Sequence, residues 1–264
     1  MRGFRLQLLL AILTASAFSP AAAQETRWSG SIAAGIGTRP EYMGSKDQEP
    51  VPYVAGELNY DRYFLEAQGK EVSLGTWLTP SMSLGVLFDV ESGRDDSVKN
   101  DRVSRLPKID DAMQLGAFAR YAWRGVLDRR DELTMDVTWL SDVSDTHDGV
   151  VGSLGLAYGR KLGDRWSFGG GVRLTYVDDS YAGTYFGITP AMAAASGMPA
   201  FRAGGGVRDV GLSAKLSYAL TDNWNIQLLG SYKQLLGDFK DSPIVKQDGG
   251  AGQLSGALAI GYRF

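Results

Sequence analysis

The chain has no cysteine and a single histidine in 264 residues. Without cysteine there is no disulfide, no thiol nucleophile, no thiolate metal site and no lipid anchor on a cysteine. It also lacks any apolar run long enough for a membrane-spanning helix, which needs about 20 residues. Its mean hydropathy of −0.14 is far too polar for a helical membrane protein. Basic charge is scarce as well: 27 Lys and Arg stand against 30 Asp and Glu, a net charge of −3. That balance argues against nucleic acid as a partner, because phosphate binding needs a basic surface.

What is abundant is glycine, at 34 residues, and aromatic side chains, at 11%. At the start of the chain, Arg2 and Arg5 precede the apolar run Leu6 to Leu13, and Ala21-Ala22-Ala23 precedes Gln24. This is the pattern of a Sec signal peptide, residues 1–23, cut after Ala23. At the other end, Leu254, Gly256, Leu258, Ile260, Tyr262 and Phe264 alternate with Ser255, Ala257, Ala259, Gly261 and Arg263. A period of two marks a strand with one oily face. Bacterial outer-membrane barrels commonly end on such a strand and on an aromatic residue, here Phe264.

The same alternation gives twelve candidate strands, with cores near 27–37, 51–60, 62–68, 72–78, 81–90, 112–124, 132–140, 150–160, 165–177, 207–220, 223–234 and 253–264. Segments 62–68 and 72–78 read either as two strands or as one long bent strand. Connections after even-numbered strands are short, such as Asp61, Thr79-Pro80 and Thr221-Asp222. Those after odd-numbered strands are long, such as Glu91 to Asp111 and Asp178 to Gly206, except near Gly69-Lys70. Outer-membrane barrels sort their loops this way, short in the periplasm and long outside. Trp123, Tyr158, Trp166, Tyr218, Trp224, Tyr262 and Phe264 gather near the expected periplasmic ends, where an interfacial girdle belongs. The expectation is an all-β fold: one antiparallel transmembrane barrel of about twelve strands over residues 24–264, exported to the outer membrane among lipid and lipopolysaccharide. Its candidate lumen-facing polar residues are Asp136, Arg173, Asp209, Lys215, Gln227, Lys233 and Arg263.

Several segments then resemble a known family. They are Arg39 to Ser45 leading into Pro50-Val51-Pro52-Tyr53, Ser92-Gly93-Arg94 with Lys108-Ile109-Asp110, Tyr185-Phe186-Gly187-Ile188-Thr189 with Ala193 to Gly197, and Leu235 to Val245. Together, and in this order, they resemble the MipA/OmpV outer-membrane proteins, with Gly237-Asp238-x-x-Asp241-Ser242-Pro243-Ile244-Val245 the most specific piece. The resemblance implies a scaffold for a murein transglycosylase and a murein synthase, a role in murein synthesis and envelope organisation. Other members are discussed as porin-like channels. The family has no agreed catalytic residues.

Residue patterns with enzyme chemistry are few. Asp145-x-His147 is similar to the Asp-x-His element of omptin proteases, in which a carboxylate orients a general base. An outer-membrane phospholipase would need a serine close after its histidine, and Gly149 stands there instead. His147 is therefore expected to be a solvated loop residue. The loop aspartates, Asp95, Asp96, Asp101, Asp110, Asp111, Asp142, Asp145 and Asp148, have no EF-hand spacing and read as a hydrated acidic surface. Neither metal nor cofactor is expected. Ala191 to Gly197 is expected to form a short helix, either on the surface or folded into the lumen as a plug. The function expected is a non-enzymatic structural scaffold, with a narrow channel for small solutes or drugs as the alternative and a hydrolase a distant third.

Overall fold

The computed structural model describes residues 28–264, so the signal-peptide boundary lies outside the described residues. Twelve strands close into one antiparallel barrel, each paired with its neighbours in sequence and the first with the last. They are β1 (Trp28–Pro40), β2 (Gln48–Tyr60), β3 (Tyr63–Gln68), β4 (Glu71–Trp77), β5 (Met82–Glu91) and β6 (Ala112–Arg124), then β7 (Asp131–Asp142), β8 (Val150–Leu162), β9 (Trp166–Val177), β10 (Gly206–Ala219), β11 (Trp224–Leu235) and β12 (Gly252–Arg263). Strands β3 and β4 are separate, joined by a tight turn at Gly69-Lys70.

Alternation sets the faces. Leu216 on β10 pairs with Leu228, Leu228 with Leu258, and Leu258 with Ile36, so one apolar row runs across four strands. Ile36 in that row is 75% exposed. An apolar belt left bare on every strand has no aqueous rationale and fits lipid. Closure satisfies the edge N–H and C=O groups that lipid cannot. Phe264 takes part in it: Gly30 and Phe264 exchange both backbone hydrogen bonds, at 3.1 and 3.0 Å. The Phe264 ring passes so close to Gly30 that a Cβ there would sit 2.8 Å from Cζ.

Apart from the Gly69-Lys70 turn, short turns collect at one end and long connections at the other. Tilted aromatic pairs ring the short-turn end, including Trp28–Tyr60, Tyr121–Trp123, Trp166–Tyr218 and Trp224–Tyr262. The long-loop end holds helices α1 (Asp179–Phe186), α2 (Pro190–Ser196), α3 (Gly237–Asp241) and α4 (Pro243–Lys246), and a 3₁₀ turn over Val103–Arg105.

Candidate functional site

The core of this protein lies inside the barrel, running from its long-loop end down to Phe64 beside the β2–β3 turn. Phe64 of β3, Leu87 of β5, Phe118 of β6, Leu140 of β7, Val151 of β8, Val177 of β9 and Leu235 of β11 form one apolar cluster with Tyr181, Ala182, Tyr185 and Phe186 of α1 and Phe239 of α3. Tyr181, Ala182 and Phe186 have no exposed surface. Burying each of the large side chains contributes about 1.5–3 kcal/mol. Helix α1 is therefore a plug set into the barrel mouth. Asp178 starts it, its carboxylate accepting from the Tyr181 N–H at 3.0 Å. Ser242 Oγ ties the plug to the α3–α4 segment by donating to the Phe186 carbonyl at 2.7 Å.

The Ala191 to Gly197 expectation resolves to α2, which is mainly exposed and lies on the surface. The plugging helix is α1, which the sequence pattern did not reveal.

A buried polar clasp fixes α1 to the wall. A bulge between Val207 and Asp209 breaks the alternation of β10, so Arg208 and Asp209 are both buried. Arg208 Nε pairs with Asp209 at 2.7 Å, and Arg208 Nη1 lies 3.5 Å from Glu91. The same Nη1 donates to the Tyr181 hydroxyl, and the guanidinium stacks 5.2 Å from that ring's centroid. Thr175 Oγ1 donates to the other Asp209 oxygen at 3.3 Å. Asp209, one of the seven candidate lumen residues, thus belongs to the clasp. Arg208, its partner, was not among them.

His147 corrects the expectation of a solvated loop residue: it is 3% exposed. The loop folds around the Asp142 carboxylate, which accepts from the backbone N–H groups of Ser144, Thr146, His147 and Asp148. This turns the imidazole inward against Tyr181, at 5.0 Å between ring centroids. Gly149 N–H donates to Nδ1 at 3.0 Å, and the Gln114 amide faces Nε2 at 3.0 Å. Nδ1 is thus an acceptor, and burial pushes the histidine pKa down, with Asp142 opposing. Asp145 makes no contact with the ring among the described hydrogen bonds, so no carboxylate orients it as a general base would require.

The other candidate polar residues occupy the wall below the plug. Asp136 of β7 and Arg173 of β9 meet across β8 at 2.9 Å. The strand between them carries Gly155, where a Cβ would sit 2.4 Å from the Asp136 carboxylate, so only glycine lets the pair close. Arg173 also donates to Ser153 Oγ at 2.6 Å. Lys215 pairs in register with Leu229, and Gln227 donates to Asn225 at 2.7 Å. Lys215, Lys233 and Arg263 have no ion-pair partner among the described residues. The structure therefore brings Asp136 and Arg173 together, assigns Asp209 to the clasp and leaves the remaining four spread over β10, β11 and β12. No group of acidic or histidine residues among the described residues is arranged to hold a metal.

Comparison with known proteins gives three findings. The family model described as MltA-interacting protein MipA matches residues 32–264. The outer membrane protein Omp26La of Vibrio anguillarum is 30% identical over 209 residues, covering 78% of this chain and 71% of that protein. Among solved structures, an outer membrane channel from Pseudomonas putida F1 aligns with a TM-score of 0.47 at 10% identity, covering 94% of this chain and 100% of the other. The NanC porin aligns with a TM-score of 0.46 at 8% identity, covering 89% and 100%.

Proposed function

The chain belongs to the MipA family of outer-membrane barrels, and from that premise we propose that it is a plugged, non-conducting, non-enzymatic barrel serving as an envelope scaffold for murein enzymes. The observation that carries this reading is the plug: α1 fills the mouth with fully buried Tyr181, Ala182 and Phe186. A wall this well packed suits an anchor better than a pore. The family's description as interacting with MltA supports a murein transglycosylase as partner, with a murein synthase beside it.

The short-turn end offers a contact surface for such a partner. Its longest connection presents Val126 and Leu127, the latter 80% exposed, beside Arg129 and Arg130. The loop is tied together by one carboxylate. The Asp131 carboxylate accepts from the N–H groups of Val126, Leu127 and Asp128 at 2.7, 2.9 and 2.9 Å, and from the Tyr158 hydroxyl at 2.9 Å. Cross-linking of intact envelopes and purification of tagged protein should recover a murein transglycosylase. Leu127→Asp should lose it while the barrel still shows heat-modifiable migration. Equal recovery from the variant, or none from the wild type, would contradict the reading.

A second reading, a narrow channel for small solutes or drugs, is favoured by one observation. Lys215, Lys233 and Arg263 leave unpaired charge on the wall below the plug, which suits water. It requires α1 to leave the mouth.

A further inference from the structure

A polar pocket of about 620 Å³ opens beside the plug, walled by the ends of β1 and β2 and by the 92–111 connection. Three of its cations are already neutralised. Arg39 pairs with Glu49 at 2.9 Å, Lys70 with Asp111 at 2.7 Å and Lys108 with Asp110 at 2.8 Å. The fourth, Arg94, differs from them. It is the one buried residue of the wall, 6% exposed. Its Nε and Nη2 are buried with no hydrogen-bond partner among the described residues.

Among the described residues no carboxylate pairs with Arg94: of those lining the pocket, Glu41, Glu49, Asp110 and Asp111 pair with other cations and Asp95 is held by Ser97. The Arg94 guanidinium lies 5.7 Å from the centroid of the Tyr42 ring. Tyr42 and Tyr185 are the two groups that bear on its charge, and each buries a hydroxyl that also lacks a partner. Burial pushes the Arg94 pKa down, as it does for a cation without an anion beside it. An uncompensated buried charge is strongly unfavourable, and three orphaned polar groups in one place call for an occupant. Nε and Nη2 lie on one edge of the guanidinium. That edge meets two oxygens of a carboxylate or phosphate in a bidentate pair. Arg94, Tyr42 and Tyr185 also come from three of the segments that carry the family resemblance, and the scaffold reading makes no use of Arg94.

We propose that Arg94 anchors an oxyanion site in the long-loop mouth. The carboxylate or phosphate group of a small solute enters the polar pocket and pairs with Nε–H and Nη2–H. The Arg94 side chain turns that edge toward the pocket on binding, and the Tyr42 and Tyr185 hydroxyls are further donors. The site does not depend on the scaffold reading, since a barrel that holds no murein enzyme can still bind an oxyanion.

The test uses the detergent-solubilised full-length barrel, with heat-modifiable migration as the check of folding. The Tm is followed against sodium acetate and, separately, sodium phosphate, at ionic strength held constant with sodium chloride. The wild type should show a saturable rise in Tm with at least one probe. A rise with acetate alone assigns a carboxylate, and a rise with phosphate alone assigns a phosphate. Arg94→Met should abolish the rise. Without probe it should unfold no lower than the wild type, because it removes an uncompensated buried charge. Tyr42→Phe keeps the ring and should weaken apparent affinity about tenfold. It decides the matter if Arg94→Met does not fold. No saturable rise in the wild type, an equal rise in Arg94→Met, or unchanged affinity in Tyr42→Phe would overturn the site and leave ordered water as the partner of these groups.

Discussion

The two halves of the lumen hold their charges in opposite ways. At the long-loop end, Arg208 and Asp209 are 4% and 1% exposed, and besides its wall partners Arg208 reaches Tyr181 of the plug. Below it, Arg173 and Asp136 are 46% and 16% exposed and bridge only wall to wall. A half-exposed pair gains little from its attraction. A buried one becomes costly when either partner is lost, because the survivor stays desolvated. One half is therefore built to hold a single arrangement, and the other to tolerate change and water.

Arg208→Ala should break this contrast most severely. It leaves Asp209 and Glu91 without their cation and Tyr181 without its donor, a loss of about 3–5 kcal/mol. The check is urea unfolding in detergent, with the plug expected to become protease-sensitive before the barrel melts. An unchanged stability would mean that apolar packing alone holds α1.

The wall itself gives the next largest effect. Leu216→Arg places a charge on the lipid face at a cost of roughly 2–4 kcal/mol near the midplane. Ser217→Arg, one residue on, meets the inward face and should be tolerated. Folding free energies of both in defined lipid test the register. Comparable losses would mean a dry lower lumen, and a larger loss for Ser217→Arg would invert the strand.

His147 should make the plugged half sensitive to pH. Its folded pKa lies below the ordinary value of about 6.5. Above that value both folded and unfolded states are neutral and the packing is intact. As pH falls below it, the unfolded chain takes up a proton that the folded chain resists, so stability declines. His147→Gln should flatten the dependence of Tm on pH between about 7 and 5. An equal slope in both proteins would assign the acid sensitivity elsewhere.

The smallest effect is expected below the plug. Arg173→Ala should cost only about 0–1 kcal/mol. A loss as large as that of Arg208→Ala would erase the distinction between the halves.

The barrel was legible because all its strands but β3 and β4 are long. A period of two held over ten or more residues, with connections sorted by parity, leaves few other arrangements. The plug was not legible, because α1 is eight residues with Gly183 and Thr184 in its middle. Such a helix owes its existence to burial rather than propensity. The capping Asp178 was the one local signal. His147 sits among Ser, Asp, Thr and Gly, a run that reads as solvated. Its burial is decided by Gln114, 33 residues away, and by Tyr181. Arg208 was missed because strict alternation puts it on the lipid face with Val210, and the bulge turns it in. Asp136 and Arg173 were named separately. Their pairing over Gly155 depends on register across three strands, which no single strand displays.

The most direct test of a plugged barrel is single-channel recording in planar bilayers, comparing the wild type with a variant in which residues 179–203 are replaced by a short Gly-Ser linker. The wild type should be silent, with stepwise, ohmic conductance once α1 is gone. Steady conductance from the wild type at the same level as the variant would contradict it.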